Sequence, residues 1–236
     1  MNHSYLLLWL ESPLQSWGFD SKFGRRDTLN FPTKSGVLGL ICCALGARGE
    51  QREFLKNMAD LSMSVISFLP EATPDHEVVL RDFHMVGSGY DKSDPWEKSL
   101  IPKTNKGTPA VGGGSKMTYR YYLQNSYFAV VLEAPQALAE KIAEALQNPV
   151  WDLYLGRKNC VPTDFIYRGL FHTESESLEM AVSISQEKKL LESFRVINGE
   201  EREKGEVLIL NDVPIQFGER KQYRDRYVTV IGNDRS

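Results

Sequence analysis

The hydrophobic pattern at the start of the chain predicts a buried strand followed by two helices. Residues 5–10 form an unbroken apolar run that Ser12-Pro13 closes, which is typical of a strand buried on both faces of a sheet. Apolar positions then recur at helical spacing from Pro32-Thr33, a favourable helix start, to Gly46, and a second helix is predicted over 51–60.

Shorter runs predict the rest of a sheet. Four runs dominated by β-branched and apolar residues are predicted as strands: 63–69, 78–86, 118–123 and 127–132. Only Gln124-Asn125-Ser126 separates the last two runs, so we predict a hairpin there. An amphipathic helix follows from Pro135 to Asn148-Pro149. This order of elements predicts an α+β sandwich of the split βαβ type, with its helices on one face of the sheet.

Two regions follow no clear period. Residues 87–117 are rich in glycine and proline, which predicts a long mobile excursion outside the core. Near the end of the chain, the charged residues 187–204 are compatible with a helix. Residues 207–210 and 227–231 are predicted as short strands of a smaller C-terminal unit.

Composition excludes several classes of protein. The 236 residues are 42% apolar and 25% charged, which is too apolar for a disordered or collagen-like chain. The net charge of −3 gives no global reason for nucleic-acid binding, so any such affinity must come from local charge. Three cysteines offer neither a disulfide framework nor zinc spacing. Because no signal peptide or membrane span is evident, we expect a cytoplasmic protein without membrane contact.

Positive charge is concentrated in one stretch of the chain. Residues 98–132 contain no Asp or Glu, but they contain five cations: Lys98, Lys103, Lys106, Lys116 and Arg120. Aromatic residues, Tyr119 among them, are interleaved at the end of this stretch, and rings beside cationic groups suit stacking and phosphate contacts on single-stranded RNA. The alternative is a solvated basic loop beside a hydrophobic hairpin, in which some of the tyrosines face the core.

A second basic cluster surrounds the start of the first helix. Arg25 and Arg26 precede Thr33-Lys34-Ser35. Because a helix start presents free backbone N–H groups that attract anions, this cluster is a candidate phosphate cradle. In the alternative interpretation, Thr33 or Ser35 is an ordinary N-cap and the two arginines are surface residues.

Other chemistries lack a supporting motif. The glycines before Lys116 do not form a complete phosphate loop, which excludes nucleotide hydrolysis. The four histidines show neither metal spacing nor a nucleophile motif, so we expect no metal and no cofactor. His84 ends a predicted strand beside the basic stretch, where it is either a general acid or base for RNA cleavage, with Lys116 and a tyrosine, or a structural histidine.

Several sequence blocks, in order and at similar spacing, resemble the CasD family of CRISPR-associated proteins, which are subunits of type I-E Cascade. The blocks are Tyr5-Leu6-Leu7-Leu8-Trp9-Leu10, Ser12-Pro13-Leu14-Gln15-Ser16-Trp17-Gly18, Phe31-Pro32-Thr33-Lys34-Ser35-Gly36-Val37-Leu38-Gly39-Leu40, Leu80-Arg81-Asp82-Phe83-His84, Thr118-Tyr119-Arg120-Tyr121-Tyr122-Leu123 and Tyr154-Leu155-Gly156-Arg157-Lys158-Asn159-Cys160. The resemblance covers roughly residues 4–170, and the tail matches poorly.

This resemblance implies a ferredoxin-like, RRM-related RNA-binding domain over residues 1–160, with a protruding thumb hairpin at 87–117. Residues 161–236 would form a small β-rich C-terminal unit. It also implies a subunit that holds the 5′ handle of CRISPR RNA, caps the backbone filament, and contacts the backbone subunit CasC and the large subunit CasA. Target DNA would be reached indirectly, through the complex.

The family's motifs place handle contacts at Gln15, Trp17, Arg26, Thr33, Lys34, Ser35 and Arg120. The charge pattern adds Arg25, Lys116 and Tyr119 to the expected RNA-binding residues. In type I-E systems the subunit CasE makes the maturation cut, so the resemblance implies binding without catalysis. Related type I-C subunits do cleave RNA, so a metal-independent endoribonuclease stays an alternative, as does a scaffold that never touches RNA.

Overall fold

The computed structural model describes residues 2–19, 21, 24–72, 79–86, 91, 93–110 and 116–232, with the side chain of Lys116 outside the description. These residues form nine strands and five helices. The strands are β1 (His3–Gln15), β2 (Arg25–Arg26), β3 (Met63–Pro70), β4 (Val79–Val86), β5 (Lys116–Pro135), β6 (Tyr167–Phe171), β7 (Leu190–Asn198), β8 (Glu206–Gln216) and β9 (Gln222–Gly232). The helices are α1 (Lys34–Ala44), α2 (Arg52–Met58), α3 (Pro95–Leu100), α4 (Gln136–Gln147) and α5 (Glu174–Glu187).

All nine strands belong to one sheet. Its main path runs β6-β1-β5-β3-β7-β9-β8, and every pair along this path is antiparallel. β4 and β2 pair with the N-terminal part of β5, β4 antiparallel and β2 parallel. The protein is therefore a mixed α and β structure with a largely antiparallel sheet. Among the described residues, no helix has the length and apolarity needed to cross a membrane.

The core lies on both faces of this sheet. Leu6 and Leu8 of β1 pack on one face with α1, α2 and α4, whereas Leu7 and Trp9 pack on the other with Ala181 of α5. Burial on both faces accounts for the unbroken apolar run in β1, as predicted. The prediction that the helices share one face is confirmed for α1, α2 and α4, whereas α5, a mostly polar helix that was not predicted, covers the other face.

The prediction of a hairpin at Gln124-Asn125-Ser126 is wrong, because β5 continues through these residues as one strand of 20 residues. The β1–β5 register is the same on both sides, with Glu11 opposite Tyr127 and Leu14 opposite Gln124. Asn125 takes a φ of 45°, a left-handed conformation that asparagine tolerates without ending the strand. The long partner β1 holds β5 in line across this irregularity.

The region assigned as helix-compatible, 187–204, is instead the end of α5 followed by β7. Lys189 adopts a φ of 55°, which ends the helix and starts the strand. Within 87–117, the described residues contain α3, capped by Asp94, and an isolated bridge between Lys103 and Pro109. Residues 87–90, 92 and 111–115 of this region lie outside the described residues, so its mobility stays a prediction.

Most other element predictions are confirmed. α1 begins after Thr33, whose side chain accepts a hydrogen bond from the Gly36 N–H, and α4 follows Pro135.

The division of the chain at residue 160 stays a prediction about domain organisation. Within the sheet, β6 and β7 from the C-terminal side of that point are hydrogen bonded to β1 and β3.

Candidate nucleic-acid interface

A hairpin extends the sheet beyond the end of β1. We call residues 79–86 of β4 and 116–123 of β5 the hairpin; Val86 pairs with Lys116 near its tip and Val79 with Leu123 at its base. The short strand β2 runs beside it, with Arg26 opposite Arg120 and Arg25 opposite Tyr119. Two arginines that sequence analysis assigned to separate basic clusters, Arg26 and Arg120, are therefore neighbours across one strand pair.

One face of the hairpin forms a groove with the loop 154–160. This basic groove has a volume of about 580 Å³ and is lined by Asp82, His84, Arg120, Tyr122, Tyr154, Gly156, Arg157, Lys158 and Asn159. Three of these side chains are permanent cations and only one is a carboxylate, so the groove is electropositive in a protein that is acidic overall.

The loop 154–160 is held rigidly against the end of β1. Its backbone closes on itself, with the Leu155 N–H donating to Cys160 and the Cys160 N–H to Arg157, each at 2.8 Å. Ser16 donates its backbone N–H to Leu155 at 3.1 Å. Gly156 has a φ of +93°, and a Cβ there would lie 1.7 Å from the Ser16 carbonyl oxygen. Only glycine fits this position, which fixes where the following arginine and lysine project.

Arg157 is the most constrained cation of the basic groove. Its guanidinium lies 4.8 Å from the centroid of the Tyr122 ring, and Nη2 donates to the Arg26 carbonyl oxygen at 3.0 Å. Its Nη1 is buried and has no hydrogen-bond partner among the described residues. A buried cationic donor without a partner is costly, so the Arg157 side chain is held here mainly by its contacts with Tyr122 and Arg26.

His84 and Asp82 lie in the same groove, with Nδ1 of His84 3.5 Å from Oδ2 of Asp82. The proposed cleavage partner Lys116 pairs with Val86 through its backbone, and its side chain lies outside the description. In the part of the chain that the structure describes, no cluster of histidine, cysteine and carboxylate residues could hold a metal ion.

Two predicted handle-binding residues, Gln15 and Trp17, lie in the interior. Gln15 Nε2 donates to the carbonyl oxygens of Leu10 at 3.0 Å and Ser126 at 2.7 Å, and its Oε1 accepts from Trp17 Nε1 at 3.1 Å. These bonds fix the end of β1 against β5. Direct contact of these residues with RNA stays a prediction.

The start of α1 is not a free phosphate cradle. The Lys34 N–H donates to the Asp212 carboxylate at 2.7 Å, and Asp212 is itself held by Arg226 through two hydrogen bonds. The Gly36 N–H is taken by Thr33 Oγ1 at 3.2 Å. A carboxylate from β8 thus occupies the position that sequence analysis assigned to a phosphate. The spacing of Thr33 and Ser35 gave no sign of this distant partner.

Lys34 is buried as well, with 1% of its surface exposed. Its Nζ donates to the carbonyl oxygens of Ala59 at 2.9 Å and Leu61 at 2.6 Å. Burial, reinforced by the nearby charge of Arg226, lowers the pKa of Lys34 to about 8. The amino group therefore points away from solvent and does not join Arg26 and Arg120.

Ser35, by contrast, lines a second cleft of about 400 Å³ with Gly39, Tyr154, Lys221 and Tyr223. A Cβ at Gly39 would meet nothing within 4 Å, whereas one at Gly36 would lie 2.7 Å from the Trp17 ring. Gly36 is therefore required by packing against Trp17, and Gly39 leaves the cleft open.

Arg25 and Tyr119 lie on the opposite face of the hairpin from the basic groove. Arg157 and Lys158 were not among the predicted RNA-binding residues, although they stand in one of the blocks that carry the family resemblance. The signal available in the sequence was the glycine directly before two cations, which marks a tight turn that presents them.

Comparisons with known proteins agree with this architecture. A family model described as CRISPR-associated protein (Cas_Cas5) matches residues 5–230. The CRISPR system Cascade subunit CasD of Escherichia coli (strain K12) is 29% identical over 174 residues, which are 70% of each chain. A chain of a CRISPR RNA-guided surveillance complex aligns with a TM-score of 0.71 at 27% identity, covering 97% of this chain and 90% of that one. A crystal structure of a Cas protein aligns with a TM-score of 0.61 at 29% identity, over 97% and 94% of the two chains.

Proposed function

The chain belongs to the CRISPR-associated Cas5 family, and we propose that it is a non-catalytic RNA-binding subunit of a Cascade-type surveillance complex in the cytoplasm. In this proposal it holds the 5′ handle of crRNA and caps the backbone filament beside CasC. It contacts the large subunit CasA and reaches target DNA only through the complex. The names of the relatives, a Cascade subunit and a chain of an RNA-guided surveillance complex, support this assignment.

We further propose that the body is a ferredoxin-like, RRM-related domain. The strand order β6-β1-β5-β3, with α1 after β1 and α4 after β5, is the order expected of two interleaved βαβ units. In this proposal the thumb stays at 87–117, carried on the hairpin strands β4 and β5 that flank it. α5 covers the sheet face opposite α1 and α4, so the RNA is assigned to the hairpin and the loop 154–160 rather than to the open face of the sheet.

The observation that carries the proposal is the basic groove. Arg120, Arg157 and Lys158 converge there from β5 and from the loop 154–160, and Asp82 is the one carboxylate among the described residues that line it. An RNA end needs phosphate contacts to hold it and exposed rings or polar groups to read its bases. Tyr154 and Asn159 supply a ring and an amide in the same groove. Gln15 and Trp17 are positioning residues in this scheme, because they hold the end of β1 against β5, the strand that carries Arg120.

The test is guide-RNA retention in the assembled complex. The full chain is produced with its neighbouring subunits and a CRISPR array, and RNA is measured per complex at several salt concentrations. Arg120→Ala and Arg157→Ala each remove a charged hydrogen-bond donor, so we expect about 10- to 100-fold weaker retention. The dependence of log affinity on log salt should also fall by about 0.7 per lost phosphate contact. Arg202→Ala, which removes an exposed arginine paired with Glu200, is the matched control.

Unchanged retention and an unchanged salt slope in both groove variants would refute the proposal. An equal loss of guide RNA in Arg202→Ala would show that the net charge of the protein, rather than the groove, determines retention.

A second candidate, a metal-independent endoribonuclease, is favoured by one observation. His84 lies in the basic groove beside Asp82, where an imidazole can exchange a proton with a bound RNA. Incubating the purified protein with repeat RNA in the presence of a chelator separates the two functions. Only a nuclease gives a discrete product that His84→Ala abolishes, whereas a binding subunit returns intact RNA.

A further inference from the structure

A large groove of mostly apolar character adjoins the basic groove. It has a volume of about 940 Å³, and apart from Cys43 the described residues that line it all come from the segment 146–166. We call it the apolar groove. Tyr154 and Lys158 line both grooves, so the two surfaces are continuous.

Several apolar side chains of this groove are exposed to solvent. Phe165 has 82% of its surface exposed, Val161 has 62% and Trp151 has 46%. Water disfavours exposed apolar groups, and contiguous apolar patches on folded proteins mark surfaces that another molecule covers. Tryptophan and phenylalanine are enriched where two proteins meet. The apolar groove therefore has the composition of a protein interface.

The backbone that presents Phe165 is fixed on both sides. Before it, the Asp164 carboxylate lies 2.7 Å from Nζ of Lys188 at the end of α5. After it, the Ile166 carbonyl oxygen accepts a hydrogen bond from the Trp9 N–H of β1 at 2.7 Å. A side chain presented from a fixed backbone loses little further entropy on binding, so Phe165 is preorganised as an anchor for a partner.

The charge of the apolar groove distinguishes its partner from that of the basic groove. Its charged lining residues are two carboxylates, Asp152 and Asp164, and one cation, Lys158, whereas three cations and one carboxylate line the basic groove. Asp164 is neutralised by its ion pairs, but the Asp152 carboxylate has no hydrogen bond or ion pair among the described residues. Asp152 repels phosphate and attracts a cation. A protein segment can combine apolar side chains with a lysine or arginine, and a nucleic acid cannot.

We propose that the apolar groove binds a neighbouring protein subunit of the complex. The contacting segment of that subunit packs apolar side chains against Trp151 and Phe165 and places a lysine or arginine beside Asp152. Because the apolar groove continues into the basic groove at Tyr154 and Lys158, this subunit lies against the end of the RNA that the basic groove holds. The contact rests on the proposed function, which supplies the complex, and it adds the surface and the chemistry of one protein neighbour.

The experiment uses the full chain, co-produced with the other subunits and a CRISPR array. The complex is purified through a tag on this chain and diluted, and native mass spectrometry identifies each subunit and measures how much of it stays bound. We expect Trp151→Ala with Phe165→Ala to weaken the binding of one protein subunit about tenfold or more. Phe165→Ala alone should weaken the same subunit less, and Trp151→Phe with Phe165→Tyr, which keeps both rings, should retain it. Tyr227→Ala removes a ring of β9 that is 47% exposed and does not line the groove, so it is the matched control.

Asp152→Lys tests the charge of the partner segment. We expect this reversal to weaken the same subunit about two- to fivefold at low salt, and the effect should shrink as salt screens the repulsion. Unchanged or tighter binding of the subunit would contradict a cationic partner segment.

The other outcomes overturn the proposal. Retention of every subunit by the Trp151→Ala, Phe165→Ala variant would leave the groove without a protein partner. Loss of RNA with all protein subunits retained would make the occupant a nucleic acid, and dimers of the chain that only this variant disrupts would make it a second copy. A lowered melting temperature of Phe165→Ala would make the ring part of the fold. Failure of the proposed function is recognised separately, because Arg120→Ala would then leave the guide content unchanged while the subunit still dissociates from the double variant.

Discussion

Lys34 joins three elements at a single residue. Its backbone N–H binds Asp212 of β8, and its Nζ binds the carbonyl oxygens of Ala59 and Leu61 just beyond α2. The carbonyl groups at the end of a helix need donors, and this amino group supplies them from α1. The interaction is made by a cation in the interior, so its free energy depends on whether the amino group is charged.

Lys34 should therefore make the stability of the protein rise with pH in an alkaline window. Its pKa is 10.5 in an unfolded chain and about 8 in the folded one, so between these values the unfolded state binds more protons. Below about pH 8 the folded protein buries a full charge, and above this pH that cost is progressively removed. Relative to Lys34→Met, the wild-type free energy of unfolding should increase by roughly 3 kcal/mol across the window. Denaturant unfolding of both proteins at several pH values measures this difference.

Tyrosines and other groups titrate in both proteins, so their contributions to the free energy of unfolding cancel in that comparison. Because Lys34→Met removes the buried charge but also leaves two carbonyl groups without a donor, the pH dependence of the difference is the informative quantity. Parallel pH profiles of the two proteins would contradict a lowered pKa at Lys34.

At the same scale, residue type alone does not separate buried cations from exposed ones. Lys34 and Arg26 are both basic residues near the start of α1. Lys34 is nevertheless buried in the interior, whereas Arg26 lies in β2 beside Arg120. Asp212, 178 residues away from Lys34 in sequence, makes the difference. No local pattern in the chain indicates that contact.

Among the elements, those with a long and regular hydrophobic period were predictable, as β1, α1 and α4 are. β5 was not, because Asn125 resembles a turn residue and only the pairing with β1 overrides that local preference. α5 and β7 were missed because α5 is mostly polar and the boundary depends on the backbone of Lys189. Only part of the basic groove was predictable from the sequence. Arg120 stands in a conspicuous cationic stretch, whereas Arg157 reaches the groove only through the shape of its loop.

That loop supplies a prediction at the scale of an element. Gly156→Ala should lower the melting temperature and weaken guide retention together, because the new Cβ collides with the Ser16 carbonyl and displaces Arg157. Gly199→Ala is the control, since Gly199 has a φ of +100° but a Cβ there meets nothing within 4 Å. The control bears only the backbone cost of about 1–2 kcal/mol, which lowers the melting temperature by a few degrees. Thermal unfolding with RNA quantification measures both effects, and equal behaviour of the two variants would exclude a role for loop docking.

For the whole molecule, the continuity of the sheet determines how the chain folds. β6 borders β1 and β7 borders β3, so the C-terminal third supplies strands on both sides of the N-terminal part of the sheet. α5 covers Leu7 and Trp9, which are completely buried. Asp212 of β8 also binds the start of α1. The C-terminal third therefore contributes to the core that the N-terminal part needs.

A chain of residues 1–160 should accordingly fail to fold, although a division at 160 predicts an independent domain. Removing β6, α5 and β7 exposes one apolar face of the sheet and leaves the outer edges of β1 and β3 unpaired, which favours aggregation. We expect the fragment to lack a cooperative thermal transition. Co-production with residues 161–236 should restore a soluble complex that melts cooperatively, because the second fragment replaces the missing strands. A cooperative transition in 1–160 alone would establish two domains and show that β6 and β7 merely extend an already stable sheet.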